Sequence, residues 1–128
     1  MEEDFRALLL ADTGVAALVG TRVNFGAHPQ GQPLPALVLQ TISDQEDFSM
    51  QGPSGLLEGR VQVDCYADTY GGSKLLSRAT RSALNGYRGG GFLLVTQVSA
   101  RDSREGGSNE ATRPYRVSMD FLTHWRPE

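Results

Sequence analysis

Residues 56–67 read Leu-Leu-Glu-Gly-Arg-Val-Gln-Val-Asp-Cys-Tyr-Ala. Successive side chains of an extended chain point to opposite faces, so Val61, Val63, Cys65 and Ala67 share one side and Arg60, Gln62, Asp64 and Tyr66 the other. A strand with one apolar and one polar face belongs to a sheet that is covered on one side only. The same alternation returns near the end of the chain. There Tyr115, Val117, Met119, Phe121, Thr123 and Trp125 oppose Arg116, Ser118, Asp120, Leu122 and His124.

Working outward, Pro114–Trp125 and Phe92–Ala100 are two strands separated by the polar segment 101–113, with Gly106-Gly107-Ser108 at its middle. That spacing predicts a long β-hairpin. Ala36–Ile42 is a short β-rich run bounded by Pro35 and Ser43-Asp44, and Asp44–Gly55 reads as a polar loop. Between Thr21 and Pro35 glycines and prolines argue against regular structure, and only Arg22–Phe25 could form a brief strand.

Three segments carry helical spacing. Glu2–Ala11 sets Phe5, Leu8 and Leu9 on one side, with acidic residues at its start where the helix dipole favours them. Asp12 can cap a second short helix carrying Val15, Ala16, Leu18 and Val19, which Gly20 stops. A third, capped by Asp68 or Ser73, shows a stripe of Leu75, Leu76, Ala79, Ala83 and Leu84 and ends at Asn85-Gly86. The order ααββαββ predicts an α+β fold: a largely antiparallel four-stranded sheet with helices packed on one face, as a single domain over residues 1–128. The other face would display Arg60, Gln62, Asp64, Arg116, Ser118 and Asp120, either wet or pressed against another subunit.

The chain has 128 residues, 39% of them hydrophobic and 21% charged, which is the composition of an ordinary globular domain. Its net charge of −3 gives no long-range attraction to nucleic acid. Cys65 stands alone, so no intrachain disulfide forms, a reducing cytoplasm suits the chain, and the residue reads as a small buried hydrophobe. The start Met1-Glu2-Glu3-Asp4 is acidic where a signal peptide is basic, and no apolar run has the length of a membrane span, so neither secretion by that route nor a membrane is expected.

The usual constellations of chemistry are missing from the sequence. His28 and His124, the two histidines, belong to no metal-ligand spacing, and no Gly-x-Ser-x-Gly elbow is present to position a nucleophile. Asp64 and Asp120 could face one another as paired carboxylates, but Arg60 and Arg116 share their face and make ion pairs the simpler account. Gly86–Gly91 lacks the Gly-Lys-Ser/Thr of a phosphate loop and precedes a strand, so it reads as a helix stop and turn. Lys74, Arg78 and Arg81 form a basic stripe with no aromatic residues between them, most simply a solvated face. We expect no enzyme, no cofactor and no metal.

Several segments taken together resemble the tail-completion, or tail-terminator, proteins of long-tailed phages and gene transfer agents. These are the opening from Glu2 to Asp12 running on to Val23, the stretch Gln32–Gln40, the run Arg60–Ala67, and the helix from Tyr70 to Leu84. The order and spacing of these segments carry the likeness, which covers most of the chain. The resemblance implies a ring, usually of six subunits, that caps the tail tube, halts its growth and offers a docking surface to the head connector. It implies as partners other copies of the chain, the tail tube protein and the connector or adaptor. The expected place is the head–tail junction of a virion or phage-like particle made in the bacterial cytoplasm, with DNA passing through the lumen unbound.

A head-to-tail ring needs elements that reach a neighbour. The candidates are Asp47, Phe48 and Met50 in the 44–55 segment, Arg60, Asp64, Arg116 and Asp120 on the polar sheet face, and Arg101, Arg104, Glu105 and Arg113 along the hairpin. The alternative is a monomeric adaptor domain using the polar sheet face for a protein or nucleic acid partner.

Overall fold

The computed structural model describes residues 1–27, 33–49, 52–104 and 115–126. Helices α1 (Glu2–Ala11) and α2 (Thr13–Val19) come first, followed by strands β1 (Val23–Phe25), β2 (Ala36–Ser49) and β3 (Gly52–Ala67). Helix α3 (Tyr70–Leu84) then precedes β4 (Phe92–Arg104) and β5 (Tyr115–Trp125). The strands form one sheet in the order β1-β2-β3-β5-β4, antiparallel throughout except for β1, which runs parallel to β2.

Helical and strand periodicity meet in one core. Phe5 and Leu9 of α1, Val15 and Val19 of α2, and Leu76 and Leu84 of α3 are buried against Leu37, Leu39, Val61, Val63, Cys65, Val117, Met119 and Phe121 of the sheet. Each such large aliphatic or aromatic side chain withdrawn from water contributes roughly 1.5–3 kcal/mol. Phe92 joins the two ends of the cluster, its ring edge-on to Phe5 and to Tyr87 at 6.3 Å in both cases. Asp12 caps α2 through its carboxylate, which accepts from the Val15 N–H at 2.9 Å, and Gly20 ends the helix with φ of +60°.

The sheet has five strands where four were expected. A three-residue strand carries no readable periodicity, yet β1 is held firmly: the Leu37 N–H donates to the Arg22 carbonyl and the Gly26 N–H to the Leu39 carbonyl, both at 2.9 Å. On its outer side the Arg6 Nε donates to the Val23 carbonyl at 2.6 Å. The second correction concerns 44–55. Backbone pairing continues from Ser43↔Arg60 to Ser49↔Gly52, so residues 44–49 and 52–55 are strand and not polar loop, while Met50 and Gln51 lie outside the described residues. Polar side chains do not preclude a strand, because the ladder is made by backbone groups that every residue carries. β4 likewise extends to Arg104, beyond the expected end at Ala100. The middle of the β4–β5 connection, with Gly106-Gly107-Ser108, lies outside the described residues.

Helix α3 differs from expectation at its cap and on its buried face. Thr69 is the N-cap, its hydroxyl accepting from the Gly72 N–H at 2.9 Å; neither Asp68 nor Ser73 takes that position. Of the expected stripe, Leu76 and Leu84 are buried and Ala79 and Ala83 pack against the core, but Leu75 is 53% exposed, and Ser73, Ser77 and Thr80 complete the buried face. The three hydroxyls are satisfied within the helix: Ser73 donates to the Tyr70 carbonyl, Ser77 to the Lys74 carbonyl and Thr80 to the Leu76 carbonyl, at 2.8–2.9 Å. Small side chains that supply their own hydrogen bonds let the helix lie close to the strands without burying an unpaired polar group.

Candidate assembly surface

The face of the sheet away from the core is not simply a wet surface. Asp64 and Asp120 are only 5% and 8% exposed, and Ser118, Ala36 and Val38 are buried beside them. Register explains the grouping: Asp64 lies opposite Ser118 and Gln62 opposite Asp120 across β3 and β5, and Arg101 on β4 lies opposite Ser118.

These side chains form one hydrogen-bonded chain. Ser118 donates to Asp64 Oδ1 at 2.5 Å, and Gln62 Nε2 donates to the same oxygen at 3.0 Å. The Gln62 side-chain Oε1 accepts from Arg101 at 3.2 Å. Arg101 and Arg60 both reach Asp120 Oδ2, at 3.7 and 2.9 Å, and the Ser99 hydroxyl donates to it at 3.3 Å. Burying two carboxylates is tolerable only with such partners. The Asp64 oxygens and Asp120 Oδ2 are taken up by these neighbours, whereas Asp120 Oδ1 is buried with no hydrogen-bond partner among the described residues.

Of the candidate residues, the fold thus brings together Arg60, Asp64, Arg101 and Asp120. Arg116, opposite Tyr66 on β3 and Ser103 on β4, shares their face. Asp47 and Phe48 lie in β2 and Arg104 in β4, on strands instead of loops; Met50, Glu105 and Arg113 lie outside the described residues. The same holds for His28, whereas His124 is half-buried opposite Glu58 and Leu94. Cys65 is fully buried on the core side, 3.9 Å from the Thr80 hydroxyl, and burial pushes its thiol up to about 12.

The basic stripe is divided in the structure. Lys74 pairs with Asp102 of β4 at 2.8 Å, and Tyr70 donates to the same carboxylate at 2.9 Å. These contacts hold the Asp102 carboxyl below the usual range and raise the Lys74 ammonium. Arg78 and Arg81 line a shallow surface hollow with Ser82 and Asn85. Gly86 and Gly90, with φ of +83° and +54°, form the helix stop and turn that their sequence suggested. Among the described residues no group of three or more His, Cys, Asp or Glu side chains could hold a metal ion, and no helix is long and apolar enough to cross a membrane.

Sequence reasoning missed one set of surface residues entirely. Ile42, Leu93 and Val98 are 51%, 49% and 44% exposed, and each occupies a β-bulge: between Thr41 and Ser43, between Phe92 and Leu94, and between Gln97 and Ser99. An extra residue in one strand turns its side chain out of the regular alternation. Nothing in a single sequence marks that shift.

The family model for tail completion protein gp17 matches residues 3–125, which take in every helix and strand of the fold except Glu2 at the start of α1. The chain belongs to the tail completion protein gp17 family. A search of curated protein sequences finds no match. Among solved structures, a chain from the virion of a native gene transfer agent particle is similar, with 22% sequence identity and a TM-score of 0.64 over 96% of this chain and 92% of that one. At that identity the likeness establishes a shared fold. Membership in the tail completion family is what makes the polar face and the hairpin edges surfaces to consider for assembly.

Proposed function

We propose that this chain is a structural subunit that forms a ring, six-membered as is usual for such proteins, on the last ring of a tail tube, ends tube growth and joins the tube to the head connector. The observation that carries this reading is the family match across residues 3–125. The similar fold found in a gene transfer agent virion supports a place in such a particle, at the junction of head and tail. No step of bond-making is assigned to the chain. Its partners are copies of itself, the tail tube protein and the connector, and the net charge of −3 suits a lumen through which DNA slides without being gripped.

The adaptor alternative would use the polar sheet face as its binding surface. Arg60, Gln62, Asp64, Arg101 and Asp120 are engaged with one another there, which favours the assembly reading. The test is electron microscopy of particles whose copy of this chain carries a density label. Label at the head-proximal end of the tail, together with tails of uncontrolled length when the gene is removed, is the expected result. Label elsewhere on the particle, or tails of normal length joined to heads without the chain, overturns it.

A further inference from the structure

The two outer edges of the sheet are each closed along one half and open along the other. β1 covers β2 only at Leu37–Leu39. Among the described residues no strand pairs with that edge of β2 from Ile42 to Ser49. At the opposite edge, the segment after α3 closes the first half of β4: the Gly86 N–H donates to the Val95 carbonyl, the Val95 N–H to the Tyr87 carbonyl, and the Gln97 N–H to Asn85 Oδ1, at 2.7–3.0 Å. Beyond Gln97 no strand among the described residues pairs with the outer edge of β4, which runs on to Arg104.

The open stretches match in several respects. They have similar lengths, and each begins at a bulge with an exposed aliphatic residue, Ile42 in one and Val98 in the other. Their charges are opposite. Asp44, Glu46 and Asp47 lie in the β2 stretch, whereas Arg104 and Arg101, the latter engaged with Asp120 and Gln62 of its own sheet, lie in the β4 stretch, whose one carboxylate, Asp102, is likewise paired with Lys74. β2 and β4 also run in opposite directions within the sheet, so placing β4 of one copy beside β2 of the next continues the antiparallel alternation.

We propose that the chain binds a second copy of itself by pairing the open β4 edge, 98–104, with the open β2 edge, 42–49, of the neighbour. The inference rests on the ring reading above and names the contact that would build it. The contact is heterologous, because different surfaces meet, and contacts of that kind generate rings when the rotation closes. Register requires a stagger. Ser99–Ser103 lie level with Gln40–Ala36 of their own sheet, so meeting 42–49 shifts the neighbour by about seven residues, or ~23 Å along the strands. Over four strand spacings, ~19 Å, that shift inclines the strands at about 50° to the ring axis, close to the ~35–45° of closed barrels. In this arrangement β1 and the Asn85–Tyr87 segment each fall just past the end of the adjoining copy's open stretch, so neither blocks the contact.

The test is a charge exchange. Asp44→Lys and Arg104→Glu are made singly and together, and self-association of the purified full-length chain is followed by native mass spectrometry and sedimentation, with circular dichroism as the check that each variant is folded. Each single reversal should weaken association about tenfold per contact, and the double variant should recover most of the loss. A second measurement joins cysteines placed at Ile42 and Arg104, which this stagger sets opposite one another, and should give an oxidised ladder of covalent oligomers. Rings that form undiminished in both single variants and yield no ladder overturn the edge contact while leaving the ring reading intact. A wild-type chain that stays monomeric at every concentration, with or without tail tubes, overturns both.

Discussion

Arg60 places a guanidinium nitrogen 2.9 Å from Asp120 Oδ2, while Oδ1 of the same carboxylate is buried with no hydrogen-bond partner among the described residues. One oxygen therefore collects the donors of Arg60, Arg101 and Ser99. Removing the carboxylate leaves two guanidinium groups facing each other, whereas removing Arg60 leaves Arg101 to hold the charge. Asp120→Ala should cost about 2 kcal/mol of stability and Arg60→Ala about 1 kcal/mol. Urea denaturation that ranks the two variants in the reverse order would contradict this account.

Thr69 supplies the N-cap of α3, and Asp68 beside it does not. Thr69→Ala should lower stability by about 1 kcal/mol, and Thr69→Asp should restore most of it, because either side-chain oxygen can accept from the Gly72 N–H. Asp68→Ala should change the urea midpoint by much less. Equal losses at the two positions would remove the cap assignment.

Cys65 should react with thiol reagents only when the domain unfolds, since its side chain is fully buried and its pKa is pushed up to about 12. The sign of the linkage follows. A thiol whose folded pKa lies above its unfolded value, about 8.5, adds stability that is complete below pH ~8.5 and is lost as the pH rises towards 12. The stability difference between wild type and Cys65→Ala should therefore shrink across that alkaline window. Rapid labelling of the native chain at pH 8 would contradict the burial.

Two glycines separate close packing from open space. A Cβ at Gly91 would overlap Trp125 Nε1 and lie 2.9 Å from Cδ1 of the same ring, whereas a Cβ at Gly71 in α3 meets nothing within 4 Å. Gly91→Ala should destabilise by about 2 kcal/mol, and Gly71→Ala should stabilise by about 0.5 kcal/mol. Thermal melts of the two variants displaced in the same direction would count against this assignment.

The parts of the fold that were legible in the sequence are those where one face is buried. Val61-Gln62-Val63-Asp64-Cys65 and Val117–Phe121 alternate because the core takes every second residue, and α1 and α2 show their apolar spacing and, at Asp12 and Gly20, their boundaries. Legibility failed where burial and polarity part company. The α3 face hides its contact with the sheet behind Ser73, Ser77 and Thr80, and the distal β2–β3 ribbon has no core to write a period into its sequence. At the candidate surface the sequence placed Arg60, Asp64 and Asp120 on one face. It gave no sign that the two carboxylates are buried, because Asp120 takes its partners Arg101 and Ser99 from β4, and Asp64 its partner Ser118 from β5.

The hydrogen bond from Arg6 to the Val23 carbonyl bears on how such a chain survives before it is used. Sheet margins are templates for indiscriminate stacking. A guanidinium seated on the outward carbonyl of β1 plugs that margin from within the molecule, so a stray strand finds its acceptor already taken. Replacing Arg6 with alanine would leave the fold its core but uncover one more backbone acceptor at the sheet margin.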